Sequence, residues 1–182
     1  MNYVLQGFGV FLGVVAGVLI NLLTQFVINR KNENSKIDNL RFELELNIKK
    51  IDRWIEEIFS YRNALNSDTL HMYFGYYDLS KFVSVTANEL FVKGILYKYL
   101  SHEDIGKIQE IYWEFSLSWE NIINNEVKQN KENFGYIKAD ETKDLSGFKA
   151  NVVQNINYWE AKFKAHKKTL EDILTKLDGK KK

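Results

Sequence analysis

Three side chains are of the types that cleavage of RNA requires, and a polar side chain adjoins one of them. Arg62 is followed directly by Asn63, His71 lies nine positions after Arg62, and His166 lies near the C-terminus. Attack by a 2′-hydroxyl needs a base that takes its proton and a cation that stabilises the charge on the phosphorane. Histidine and arginine can fill these two roles, so Arg62, His71 and His166, together with the polar Asn63 beside Arg62, are the candidate catalytic residues.

The same residues also admit a structural interpretation. Arg62 and His166 interrupt two stripes of apolar residues, and burying a guanidinium or an imidazole is costly unless it is hydrogen-bonded. We therefore expect both to have polar partners, and in an antiparallel bundle they could lie near each other. A position at the bundle end for Arg62 and a hydrogen-bonded core position for His166 are the alternative to a catalytic role.

Sequence motifs of other reactions are missing from this chain. It has no cysteine, and its three histidines, His71, His102 and His166, are too dispersed to predict a metal site. It also lacks the HExxH, phosphate-loop and GxSxG patterns. The sequence therefore predicts no metal and no cofactor, and it disfavours most classes of enzyme.

The N-terminal stretch is the most apolar part of the chain. No charged side chain occurs from Tyr3 to Ile28. A helix of this length reaches about 39 Å, more than the roughly 30 Å of a hydrocarbon core. We therefore predict two domains, a transmembrane helix over residues 1–29 with the lipid bilayer as partner, and a helical domain over residues 30–182.

One ridge of the predicted transmembrane helix carries small residues followed by polar ones. Gly9, Gly13 and Gly17 recur every four residues, and Asn21 and Gln25 continue the spacing. Glycines let helix backbones approach closely, and amides need partners that lipid does not offer. The ridge predicts a homo-oligomer packed through the glycines, with Asn21 and Gln25 lining a pore; a closed dimer is the alternative.

Basic residues follow the apolar stretch instead of preceding it. Arg30, Lys31 and Lys36 lie on its C-terminal side, whereas a secretory signal needs a basic segment in front and a small-residue cleavage site. By the positive-inside tendency, the N-terminus is outside and residues 30–182 are cytoplasmic. The sequence thus predicts a single-pass membrane protein.

The predicted cytoplasmic domain is all-α. Proline is absent, and apolar residues recur at intervals of three or four. These patterns predict a bundle of four to five helices, the main ones over about 35–65, 79–100, 101–127 and 145–177. Ser101 with Asp104 indicates a capping box at the start of the third helix, and residues 129–144 are polar enough to predict a loop.

The charge balance argues against a nucleic-acid binder that uses its whole surface. The formal net charge is only +1, and such binding would need a local basic patch. The lysines between Lys162 and Lys182 are the best patch, although a solvated helix face and tail also explain them. Direct RNA binding is left open.

Arg62, Asn63 and His71 in an all-α domain resemble the signature of HEPN domains, in which Arg and His from a dimer interface cleave RNA. The interval between Arg62 and His71 is longer than in that family. The alternative segment, Lys162 to His166, has lysine in place of arginine and cannot make the same bidentate phosphate contact. The resemblance therefore favours degenerate HEPN-like residues over an active ribonuclease.

With its N-terminal apolar helix and small helical domain, the chain resembles the small membrane accessory proteins of type VI-B RNA-targeting CRISPR systems. This resemblance implies a ring-shaped homo-oligomer in the bacterial inner membrane. Such an oligomer would form a pore or perturb the membrane beside an RNA-guided nuclease, as an effector of antiphage defence. Two alternatives stay open: a membrane-anchored helical interaction module without a pore, and a membrane-tethered HEPN-like ribonuclease.

Overall fold

The computed structural model describes the backbone of residues 2–140 and 142–179 and the side chains of residues 16–140 and 142–179. Within these ranges the chain is helical and has no strand. The prediction of an all-α chain is confirmed. The chain divides into two compact units, Met1–Asn39 and Leu40–Lys182.

Six α-helices follow one another along the described residues. They are α1 (Asn2–Asn66), α2 (Val85–Val92), α3 (Leu96–Tyr99), α4 (His102–Glu114), α5 (Leu117–Ala139) and α6 (Leu145–Gly179). Two short 3-10 turns, Leu70–Met72 and Leu79–Lys81, lie between α1 and α2.

The prediction of a transmembrane helix over residues 1–29 is wrong for the part of the chain that the structure describes. No helix in that part is long and apolar enough to cross a membrane.

In the second unit, α1 and α6 run antiparallel. Asp52 on α1 accepts a hydrogen bond from Lys167 at 2.6 Å, and Arg41 contacts Asp178 at 2.9 Å. Residue numbers therefore rise along α1 as they fall along α6. The pairing brings the apolar stripes of the two helices together in one core.

The centre of this core is aromatic. Trp54 on α1 is fully buried, and its ring centroid lies 5.0 Å from that of Phe115 and 5.7 Å from that of Phe163. Such edge-to-face and tilted pairs add to the free energy gained by burying the rings. The stripe that predicted α6 is half-buried at Leu145 and Phe148. It is buried at Val152, Ile156, Trp159, Phe163, Leu170, Ile173 and Leu177.

Ser101 and Asp104 form the predicted capping box. The Ser101 hydroxyl accepts from the Asp104 backbone N–H at 3.1 Å, and the Asp104 carboxylate accepts from the Ser101 N–H at 3.4 Å. These bonds satisfy backbone donors that have no partner inside the helix. The start of α4 was therefore predicted correctly.

Other predicted boundaries are wrong. The helix predicted over 79–100 is a 3-10 turn followed by α2 and α3, with Gly94 at φ +69° after α2. The helix predicted over 101–127 is interrupted between α4 and α5. The loop predicted over 129–144 is helical as far as Ala139, because Phe134 is buried and tertiary packing stabilises helix in a locally polar segment.

Two amides, buried Asn47 and half-buried Asn124, hold residues 73–84, the segment before α2 that we call the connector. Asn47 on α1 accepts from the Val83 N–H at 2.9 Å and donates to its carbonyl at 2.6 Å. Asn124 on α5 accepts from the Tyr77 N–H at 3.0 Å and donates to its carbonyl at 2.8 Å. The backbone of the connector is thus paired with side chains of two helices.

Candidate functional site

The structure does not bring the predicted catalytic residues together. Arg62 donates from Nη2 to Glu160 Oε2 at 2.5 Å and to Asn157 Oδ1 at 2.9 Å, both on α6. Asn63 and His71 are solvent-exposed. Because both of its partners are on α6, the guanidinium of Arg62 joins α1 to α6. None of its described hydrogen bonds involves a histidine.

His166, six positions after Glu160 on α6, lies in a separate cluster. Its Nε2 contacts Glu114 Oε2, and Lys162 Nζ lies 3.0 Å from Glu114 Oε1. The imidazole packs edge-on against the ring of Phe115, with centroids 5.4 Å apart. Arg62 and His166 each have polar partners, as the structural interpretation expects, but the two residues belong to different clusters.

Burial sets the protonation of His166. It lowers the pKa of the imidazole below the ordinary value of 6.5, against the opposing effect of the Glu114 carboxylate, which raises it; Lys162 lowers it further and Glu110 raises it. His166 is therefore a neutral hydrogen-bonding partner near pH 7. This is a structural role at the junction of α4 and α6.

We expect His166 to make stability depend on pH. Because its pKa is lower in the folded chain, the unfolded chain binds the proton first as pH falls. The contribution of neutral His166 is complete above about pH 6.5 and is lost as pH falls below that value. Urea unfolding at pH 7 and pH 5.5 should show a smaller pH-dependent loss for His166→Gln than for the wild type. His71→Gln, at an exposed histidine, is the control; equal losses in wild type and His166→Gln would contradict this assignment.

Three aromatic rings surround the Lys162 ammonium. Its Nζ lies 4.7 Å from the ring centroid of Trp119, 5.7 Å from that of Tyr158 and 5.9 Å from that of Trp159. Trp113 is 69% exposed. Lys162 is therefore held by cation–π contacts and by Glu114, so its ammonium is already engaged within the chain.

Asn21 and Gln25, the predicted pore-lining residues, are exposed side chains of α1. The Gln25 amide donates to Asn21 Oδ1 at 3.4 Å. A Cβ added to Gly17 would meet no atom within 4 Å, so this glycine leaves room for a neighbour. Gly9 and Gly13 lie outside the residues whose side-chain surroundings the structure describes.

A groove that the sequence did not reveal lies beside the end of α1. Its volume is about 480 Å³, and it is lined by Glu57, Ser60, Ala64, Thr69, Met72, Tyr73, Phe74 and Gly75. A Cβ on Gly75 would lie only 2.0 Å from Tyr73 Oη and 2.2 Å from Glu57 Oε2. The only sequence signal was an aromatic segment interrupted by this glycine, and it did not indicate which helix would form the other wall.

Among the described residues, no group of three or more His, Cys, Asp or Glu side chains could hold a metal ion. No protein-family model, no curated protein and no solved structure matches the chain. The resemblance to HEPN domains and to type VI-B accessory proteins therefore stays a prediction. The link to an RNA-guided nuclease, direct RNA binding and the bacterial inner-membrane localisation also stay predictions.

Proposed function

We propose that this protein is a helical interaction module that self-associates through the exposed apolar surface of residues 16–28. The observation that supports the proposal is the exposure of this surface. Eight large apolar side chains are 51–65% exposed: Val18, Leu19, Ile20, Leu22, Leu23, Phe26, Val27 and Ile28.

The size of this surface favours a binding role. Eight neighbouring large apolar side chains, each more than half exposed, are more exposed apolar surface than monomeric proteins usually leave in water. Covering it would remove a large unfavourable hydration term.

The distribution of side chains favours further copies of the same segment as the occupant. At 100° per residue, the eight apolar positions cover most of the helix circumference, and Gly17, Asn21 and Gln25 form one narrow ridge. The stretch has no charged side chain, so it offers nothing to a charged partner. Identical helices packed side by side would bury their apolar faces. The amides of the ridge would then hydrogen-bond to the same amides of the neighbouring copy, as buried asparagines do in coiled coils.

Binding is favoured over catalysis by the position of Arg62. A catalytic arginine must be available to a phosphate, whereas this one is joined to Glu160 and Asn157. A pore and a single-pass topology both require a membrane span, so neither forms part of the proposal.

Sedimentation equilibrium of the full chain tests the proposal. We expect the wild type to be multimeric and Leu19→Ser/Leu23→Ser/Phe26→Ser, which alters one face of the helix, to shift toward monomer. The control is Val85→Ser/Val92→Ser, two exposed apolar residues at the ends of α2, which should leave the mass unchanged. A monomeric wild type, or a triple variant with the wild-type mass, would reject self-association through this segment.

A further inference from the structure

The groove beside the end of α1 contains a single charged residue. Of its eight lining residues, only Glu57 is ionisable near pH 7; the others are apolar or carry a hydroxyl group, apart from Gly75. Glu57 has no salt bridge within the part of the chain that the structure describes. A carboxylate in this position favours a cation that also has an apolar body.

Tyr73 orients this carboxylate without neutralising it. Its hydroxyl lies 3.2 Å from Glu57 Oε2 and 3.3 Å from the Glu57 carbonyl oxygen. Burial, together with Tyr77 and Glu57, raises the pKa of Tyr73 far above its ordinary value. The phenol therefore stays protonated and is a neutral donor, and the negative charge of Glu57 is left for a ligand.

Two other lining residues, Met72 and Phe74, are large and apolar. Phe74 is 86% exposed and Met72 is 64% exposed, which is an unfavourable state for two large apolar side chains. The Lys131 ammonium lies 4.5 Å from the Phe74 ring centroid and donates to the Tyr73 carbonyl oxygen. Lys131 is thus tied to the backbone at the rim, and it is not one of the lining residues.

We propose that this groove binds a peptide segment of a partner protein, in which an arginine that pairs with Glu57 stands next to an apolar side chain that covers Phe74 and Met72. A guanidinium can make two parallel hydrogen bonds to a carboxylate, which an ammonium cannot. The volume of about 480 Å³ lies within the roughly 300–1,000 Å³ of sites that hold ligands larger than one side chain. A nucleic acid fits poorly, because its phosphates would meet the Glu57 carboxylate.

The test is calorimetric titration of the full chain with two blocked tetrapeptides. One has the sequence glycine-arginine-phenylalanine-glycine, and the other carries neutral citrulline in place of arginine. We expect the wild type to bind the arginine peptide at least tenfold more tightly than the citrulline peptide. Glu57→Gln should weaken binding of the arginine peptide at least tenfold and remove the preference between the two peptides.

Matched variants separate this effect from misfolding. Glu56→Gln changes the neighbouring exposed carboxylate of α1, which does not line the groove, and should bind like the wild type. Phe74→Ala should weaken binding of both peptides about threefold to tenfold, because the apolar contact is common to them. Thermal unfolding of Glu57→Gln should match the wild type, since the glutamine oxygen can still accept from Tyr73.

Several outcomes would overturn the proposal. One is the absence of binding at millimolar peptide, and another is equal affinity of the wild type for the two peptides. The others are equal affinity of Glu57→Gln and Glu56→Gln for the arginine peptide, and tighter binding of a single-stranded oligonucleotide than of the peptide. The result is independent of self-association, because residues 57–75 form the groove and residues 16–28 form the proposed interface. The Leu19→Ser/Leu23→Ser/Phe26→Ser variant should bind the arginine peptide like the wild type.

Discussion

Replacing Trp54 with alanine is expected to lower the free energy of unfolding by about 3–5 kcal/mol. The side chain is fully buried, and its ring contacts those of Phe115 and Phe163 at the centre of the core. Its Nε1 also donates to Asp78 Oδ1 at 2.9 Å. The substitution leaves a cavity among aromatic rings and removes a donor from a carboxylate of the connector.

Urea unfolding followed by circular dichroism measures this loss. Trp113→Ala is the matched control, because Trp113 has the same side chain but is mostly exposed; it should change the free energy of unfolding by less than about 1 kcal/mol. A similar loss for the two variants would show that Trp54 is not at the centre of the core.

Replacing Glu43 with alanine is expected to cost about 2–4 kcal/mol. Its buried carboxylate accepts from the backbone N–H groups of Thr86 and Ala87 at 2.7 and 3.1 Å and from the Tyr112 hydroxyl at 3.1 Å. Ser84, at the N-cap of α2, makes no side-chain capping bond. Glu43 therefore satisfies the first free donors of α2 from another helix.

The comparison of three variants separates the effect of these hydrogen bonds from that of the charge. Glu43→Gln keeps one acceptor oxygen and should lose less stability than Glu43→Ala. Glu45→Ala, at an exposed carboxylate two positions along α1, should stay within about 0.5 kcal/mol of the wild type. Equal unfolding free energies for Glu43→Ala and Glu45→Ala would reject the capping role of Glu43.

The long helices of the second unit could be predicted because their signal is repeated along the sequence. Apolar residues at intervals of three and four identify the buried side of a helix whatever packs against it. Trp159, Phe163 and Leu170 are buried on α6 as this pattern predicted. The capping box at Ser101 was also readable, since all of its hydrogen bonds are local.

The connector and the end of α5 could not be predicted because the contacts that determine them are distant in sequence. Asn47 and Val83 are 36 positions apart, and Asn124 and Tyr77 are 47 apart. In the sequence these asparagines are indistinguishable from solvated polar residues. The helical conformation of residues 129–139 accompanies the burial of Phe134, which lies seven positions after buried Val127 on α5 but is separated from it by polar residues.

The candidate site shows the limit of arguments from residue type. Arg62 and His166 have the chemistry of a catalytic pair, but position decides whether that chemistry is available, and Glu160 and Glu114 engage them separately. The groove at Glu57 is the reverse case. Nothing in the sequence distinguishes this carboxylate, and the proposed binding role arises only because the chain folds Tyr73 and Phe74 against α1.

The connector takes its path from the amides and carboxylates of α1 and α5, since the hydrogen bonds at Val83, Tyr77 and Ser80 all use its backbone. In evolutionary terms, such a segment is constrained in length more than in composition. A new side chain at exposed Ser80 leaves its backbone bond to Glu120 intact, whereas inserting or deleting one residue moves the following donors out of register with Asn47. Among descendants of this chain, the connector should therefore drift in sequence while its number of residues stays constant.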